Sequence, residues 1–100
     1  MTKQKLERDI QREICDWLFR RGIFFWRSNN IPVFSEGRFR AMPKYSPLGL
    51  PDIICIYKGR FIGLEVKRKG GFTKPITKHN QKMFSENVWS NGGYYYIVFS

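Results

Sequence analysis

The chain has 100 residues, of which 42% are hydrophobic and 17% aromatic, so we expect one packed domain over residues 1–100 and exclude an intrinsically disordered chain. Its 18 Lys and Arg against 8 Asp and Glu give a net charge of +10, which favours nucleic acid over a membrane surface, because the basic residues are not confined to one helix face. No apolar run or signal-peptide pattern points to a membrane, and we therefore expect a cytoplasmic protein with no membrane partner.

The first half of the chain predicts a helix, a strand and a long basic loop. Apolar residues at helical spacing predict a helix over about 3–21, and Gly22 is a favourable stop. The aromatic and β-branched run 23–27 predicts a strand. All periodicity then disappears over 28–50, and a basic loop of this length in a small domain is usually functional or mobile. The apolar stripe of the helix consists of Leu6, Ile10, Ile14, Trp17 and Leu18.

The second half predicts a hairpin, a helix and a last strand. Residues 53–57 and 61–67 have strand character and flank the tight turn Lys58-Gly59. A helix over about 77–91 and a strand over 94–99 follow. The order α-β-loop-β-β-α-β predicts an α/β protein of the α+β kind, with helices on a mixed sheet. The helical crossover makes the last two strands parallel.

Two carboxylates and a lysine are placed for metal-dependent phosphate chemistry. Glu65 and Lys67 project from the same face of a strand, because strand side chains alternate. Pairing outward from the turn brings Asp52 near Glu65, with an offset that the turn type must settle. Carboxylates suit Mg²⁺, and a lysine can orient or deprotonate the attacking water or stabilise the phosphate charge. The alternative is an exposed strand face that carries ordinary solvated charges.

The two short motifs that carry these residues resemble a nuclease superfamily. Gly49-Leu50-Pro51-Asp52 and Gly63-Leu64-Glu65-Val66-Lys67 are similar to the Pro-Asp…(Asp/Glu)-x-Lys pattern, and most of all to its virus-type replication-repair branch, the VRR-NUC domain. The resemblance covers nearly the whole chain and implies a restriction-endonuclease-like αβββαβ core. The short stand-alone members of that family are the ones this chain resembles.

The resemblance implies a role for each residue of the motifs. Asp52 and Glu65 are expected to bind Mg²⁺ or Mn²⁺, with the Val66 carbonyl as a further ligand, and Lys67 is expected to assist the attacking water. The family match also implies that Gln81 belongs to the active site, and helical geometry places it on the apolar face of its helix. Gln81 could instead satisfy a backbone group at the helix start.

The family also uses a glutamate of the first helix, for which the chain offers Glu7 and Glu13. Glu7 shares a face with Ile10 and Ile14 at the i+3 and i+7 positions, whereas Glu13 lies at the opposite border of the stripe. We choose Glu7 as the catalytic and metal-binding residue. The alternative is an exposed glutamate placed favourably in the first turn of the helix.

The expected partner is DNA, and the resemblance implies a structure-selective endonuclease of DNA repair or recombination. Short members of the family resemble Holliday-junction resolvases that act as homodimers, because a four-way junction requires two symmetric cuts. The alternatives are a non-catalytic DNA-binding module of the same fold and a sequence-specific nuclease of restriction or anti-phage type. The expected phosphate contacts flank the site in chain order: Arg27, Arg38, Arg40, Lys44, Lys69, Lys74 and Lys78.

Overall fold

The computed structural model describes residues 6–28, 34–35, 38–39 and 44–99, and it has the predicted α+β architecture. Four strands form a mixed sheet of order β1-β4-β5-β6, in which only the β5–β6 pair is parallel. Neither helix in this part of the chain is long and apolar enough to span a membrane. The elements are α1 (Glu7–Arg20), β1 (Phe24–Arg27), β2 (Phe34–Ser35), β3 (Arg38–Phe39), β4 (Ile53–Tyr57), β5 (Arg60–Lys67), α2 (Pro75–Ser90) and β6 (Tyr94–Phe99).

The sequence had led us to expect an irregular loop between β1 and β4, but part of this segment forms regular structure. It contains a second, two-stranded antiparallel sheet, in which β2 pairs with β3. Each of these strands has two residues, which is too short for an alternating pattern to be detectable in the sequence.

The β4–β5 hairpin sets the register that brings the motif residues together. Lys58 (φ 51°) and Gly59 (φ 77°) both have positive φ, as a two-residue type I′ turn requires. Pairing runs from Tyr57 opposite Arg60 to Ile53 opposite Leu64. One further step places Asp52 opposite Glu65, which settles the offset that the sequence left open.

One face of the sheet packs against α1. Ile10 and Leu18 of the helix form a buried cluster with Ile53, Cys55 and Val66 of the sheet. Partly buried Ile14, Ile62 and Leu64 extend the cluster, as the alternation in β5 predicts. Two residues of the predicted stripe are exposed instead: Leu6 precedes the first helical turn, and Trp17 packs its ring under the Arg21 guanidinium, 4.8 Å from the ring centroid.

The other face of the sheet packs against α2 through a close backbone approach. A Cβ on Gly49 would lie 2.2 Å from the carbonyl oxygen of Asn80 in α2, and a Cβ on Gly63 would lie 2.8 Å from Cγ of Pro51. Pro51 is fully buried. Segment 49–51 therefore contacts both β5 and α2, and only glycine at these two positions permits the spacing.

We expect Gly49→Ala to destabilise the protein by about 3 kcal/mol, because a methyl group adds overlap with the α2 backbone to the cost of a positive φ of 79°. Gly22→Ala is the matched control: its φ is 70°, but a Cβ there meets nothing within 4 Å. We expect it to cost about 1 kcal/mol. Chemical denaturation measures both, and equal losses would contradict the close approach.

Candidate active site

Asp52 is anchored where the β4–β5 ladder ends. Its carboxylate Oδ2 accepts a hydrogen bond of 2.8 Å from the backbone N–H of Val66. Its backbone carbonyl accepts another, also of 2.8 Å, from the N–H of Ser28 just after β1. Asp52 thus joins the ends of three neighbouring strands, and its side chain is held on β5 beside Glu65.

Glu65 is buried, although a glutamate in a strand is usually exposed. It lies in an interior strand of the sheet, and only 6% of the residue is exposed. Its Oε1 accepts a hydrogen bond of 3.1 Å from the Gln81 side-chain amide and lies 4.0 Å from the Lys67 ammonium nitrogen. Its Oε2 is buried without any hydrogen-bond partner. The exposed-charge alternative for Glu65 is therefore wrong.

The charge of Asp52 disfavours the ionisation of Glu65. Burial, followed by the charge of Asp52, raises the pKa of Glu65 to about 8. Burial also raises the pKa of Asp52, although its hydrogen bonds with Val66 and with Glu65 oppose the shift. When Glu65 holds a proton, the two groups share a hydrogen bond; when both are ionised, a cation is needed to offset their charge.

Lys67 lies next to the two carboxyl groups, and Glu7 of α1 contacts the chain just after β5. Lys67 donates a hydrogen bond of 3.0 Å to the hydroxyl of Thr73, a residue that the sequence had not suggested. Glu7 reaches the site from α1 and accepts a hydrogen bond of 3.2 Å from the backbone N–H of Arg68. Glu7 is exposed, as the alternative reading expected, and its charge makes a small contribution to the raised pKa values of Asp52 and Glu65.

The donor set fits a divalent cation with oxygen ligands. Within the described ranges, no three His, Cys, Asp or Glu residues form a cluster that would hold a metal by themselves. A site for Mg²⁺ or Mn²⁺ needs only one or two carboxylates, since water and substrate phosphate supply the remaining ligands. Asp52 and Glu65 meet that requirement, and the unpartnered Oε2 of Glu65 is an acceptor that a cation would satisfy.

The predicted phosphate contacts occupy different positions around the site. Arg27 lies at the end of β1, opposite Ile53, and donates a hydrogen bond of 2.9 Å to the Gln11 side chain. Lys69 and Lys74 are exposed in the connection between β5 and α2. Lys78 lies one helical turn before Gln81, at the rim of the same end of the sheet.

The other three predicted contacts belong to the long loop. Lys44 is exposed and lies over the Tyr45 ring, 5.2 Å from its centroid. The backbone of Arg38 is part of β3, but its side chain lies outside the described structure, as does the whole of Arg40.

Tyr95 is a residue of this region that the sequence analysis missed. It is only 6% exposed, and its hydroxyl is buried without a hydrogen-bond partner. Burial raises its pKa, and the nearby charges of Glu65 and Asp52 raise it further. The strand β6 is apolar and aromatic throughout, so its sequence carried no alternation that marked Tyr95; the parallel register sets this residue beside Gly63.

Comparison with known proteins relates the fold to a solved structure. The chain matches no protein-family model and no curated protein sequence. It is similar to the structure of Hjc, a Holliday junction resolvase from the archaeal hyperthermophile Archaeoglobus fulgidus, with a TM-score of 0.55 and 17% identity over 90% of this chain. The match spans 64% of the length of that chain. At this identity the likeness establishes a common fold.

We expect Glu65→Gln to stabilise the metal-free protein at alkaline pH. The pKa of Glu65 is about 8 in the folded protein and 4.5 ordinarily. Between these two pH values the folded protein therefore holds a proton that the unfolded protein has released. Stability therefore falls as the pH rises from about 4.5 to about 8. Glutamine keeps the acceptor for Gln81 but cannot ionise.

The measurement is thermal unfolding of both proteins in EDTA across this pH range. The variant should gain about 1–2 kcal/mol over wild type at pH 8.5, which is several degrees in the melting temperature, and little at pH 4.5. A variant that is less stable than wild type at pH 8.5 would show that the ionised Glu65 carboxylate does not destabilise the folded protein.

Proposed function

We propose that this protein is a metal-dependent endonuclease that hydrolyses phosphodiester bonds of branched DNA, with the four-way junction as its substrate. The observation that carries the proposal is the buried Glu65 carboxyl beside the half-buried Asp52, a pair whose repulsion on ionisation a cation would relieve, with the Lys67 ammonium next to it. A binding module for DNA has no need of such a pair, because buried like charges repel both each other and phosphate.

Each residue of the site has a distinct part in the proposed reaction. Asp52, Glu65 and the carbonyl of Val66 would hold Mg²⁺ or Mn²⁺. The ion would supply Lewis-acid polarisation of the phosphate and lower the pKa of water. Lys67, positioned by Thr73, would orient the attacking water or stabilise the charge that develops on the phosphate.

Two further residues would position the carboxylates. Gln81 donates to Glu65 Oε1 and so fixes the orientation of that side chain, leaving Oε2 for the cation. Glu7 lies at the α1 edge of the site, where its backbone hydrogen bond from Arg68 links the helix to the end of β5. We propose Glu7 as a carboxylate that reaches the ion when DNA and metal are both bound.

The substrate and assembly are proposed from the fold and the charge. The protein shares its fold with a Holliday junction resolvase, and its sequence motifs resemble the VRR-NUC branch of nucleases. A net charge of +10 favours a polyanion and predicts binding that weakens steeply with salt. We propose a homodimer, since two symmetric cuts need two sites, and action on DNA in the cytoplasm, as part of repair or recombination.

The test is cleavage of a labelled four-way junction beside a linear duplex of the same sequence, with Mg²⁺, Mn²⁺ or EDTA. We expect paired symmetric cuts in the junction, dependent on metal and far faster than cleavage of the duplex. Asp52→Asn should lower the rate at least about 100-fold, because it removes one charged ligand of the ion. Lys58→Gln is the control, since Lys58 lies in the hairpin turn at the opposite end of β5 and should retain activity.

Two results would contradict this proposal in different ways. Tight junction binding without cleavage under either metal would leave a DNA-binding module. Full activity in Asp52→Asn, with the variant shown by its melting curve to be folded, would place the chemistry elsewhere in the protein.

A further inference from the structure

A basic cavity opens beside the carboxylate site, between α2 and the ends of β5 and β6. Its volume is about 620 Å³, within the roughly 300–1,000 Å³ typical of ligand sites. Lys67, Thr73 and Gln81 of the proposed active site are among the residues that line it. The cavity is thus continuous with the site at which we propose that the phosphodiester is cut.

The charge of the lining is of one sign. Four cationic residues line the cavity: Lys67, Arg68, Lys78 and Lys82. None of the described lining residues is an Asp or a Glu. Lys78 and Lys82 are one turn apart on α2 and present two ammonium groups along one side. Such a lining is complementary to phosphate and unsuitable for a cationic or a purely apolar ligand.

The opposite wall of the cavity is apolar and aromatic. Ile97 and Phe99 of β6 contribute to it, and they are 50% and 64% exposed. Exposed aromatic rings next to lysines are the combination by which proteins bind single-stranded nucleic acid, because any base can stack on a ring while its phosphate pairs with a cation. A base that remains paired and stacked within a duplex cannot enter such a cavity.

Tyr95 links the cavity to the carboxylates. Tyr95 is one of the residues that line the cavity, and its hydroxyl is a buried donor that has no hydrogen-bond partner. Buried polar groups without partners are rare in folded proteins, since each costs free energy. A ligand with an acceptor oxygen at the inner end of the cavity would provide the missing partner.

We propose that this cavity binds one unpaired nucleotide of the DNA strand next to the scissile phosphate, with Lys78 and Lys82 on its phosphate, Phe99 against its base and the Tyr95 hydroxyl as a donor to it. This inference rests on the proposed function, because it assigns the cavity to the strand that the carboxylate site would cut. The substrate class that follows is DNA with unpaired nucleotides, such as splayed arms, single-stranded extensions or a junction with open base pairs at its centre.

The experiment compares equilibrium binding of a labelled hairpin duplex with that of the same duplex carrying a short single-stranded extension, at the 5′ or the 3′ end. EDTA is present, so that cleavage has no part in the measurement. Stacking of one base on an aromatic ring corresponds to about 5- to 100-fold in affinity. We expect wild type to bind one of the extended duplexes at least about 5-fold more tightly than the plain duplex.

Matched substitutions test the two walls. Phe99→Ala should abolish the preference, whereas Phe24→Ala should leave it intact, because Phe24 is similarly exposed (68%) but lies on β1 at the far edge of the sheet. Lys82→Gln should weaken binding of the extended duplex severalfold more than Lys58→Gln does. Lys58 has the same charge but lies in the hairpin turn. These four residues are exposed, so that the substitutions should leave the fold intact.

Tyr95→Phe separates a ligand-binding role from a structural one. Removing a buried hydroxyl without a partner should leave the melting temperature of the free protein unchanged or raise it. The same substitution should weaken binding of the extended duplex severalfold. A structural hydroxyl would give the opposite pattern, with a lower melting temperature and unchanged binding.

Equal affinity of wild type for plain and extended duplexes would overturn the inference, and so would equal effects of Phe99→Ala and Phe24→Ala. These two results can be distinguished from results that would refute the proposed nuclease activity. Cleavage of junctions without a preference for unpaired DNA would support the nuclease proposal and refute the nucleotide site. A preference for unpaired DNA that depends on Phe99, without any cleavage of DNA, would support the nucleotide site and refute the catalytic proposal.

Discussion

Two carboxyl groups that repel each other are held side by side where the β4–β5 hairpin ends, and the organisation of the site follows from that repulsion. Glu65 lies in an interior strand, where desolvation and the charge of Asp52 raise its pKa to about 8. Such an arrangement lowers the stability of the metal-free protein at and above neutral pH. A fold retains an unfavourable carboxylate pair only where the surrounding structure holds it in place, and strain of this kind occurs mostly at sites that bind or react.

The surrounding structure holds the pair through backbone packing as much as through side chains. Asp52 is fixed by hydrogen bonds to the ends of β1 and β5, and Gln81 fixes Glu65 from the α2 side. Gln81 reaches Glu65 because the chain at Gly49 passes directly against the α2 backbone, while Pro51 covers Gly63 on the sheet. The Gly-x-Pro-Asp segment therefore has a structural task besides supplying a carboxylate, since it sets the distance between the sheet and the helix.

The positive charge of the chain complements this negative centre. Glu65 is buried and Asp52 half-buried at the end of the sheet, and lysines and an arginine line the neighbouring cavity. Phosphate can thus be attracted by the cations and brought to a centre that would repel it in the absence of metal. The common fold with an archaeal resolvase accounts for the scaffold, whereas the proposed chemistry depends on these particular side chains.

The sequence by itself determined the order of the two helices and of the four strands of the main sheet, the hairpin turn and the shared face of Glu65 and Lys67, because these depend on local periodicity and turn chemistry. Helical spacing favoured Glu7 over Glu13, and in the structure Glu7 accepts a hydrogen bond from the backbone N–H of Arg68 just after β5. Tertiary structure alone decided that Glu65 is buried, that Thr73 contacts Lys67 and that Tyr95 lies beside the site. Burial depends on which strands are interior and which helix covers them, and those contacts join residues far apart in the chain, so that no local pattern contains them.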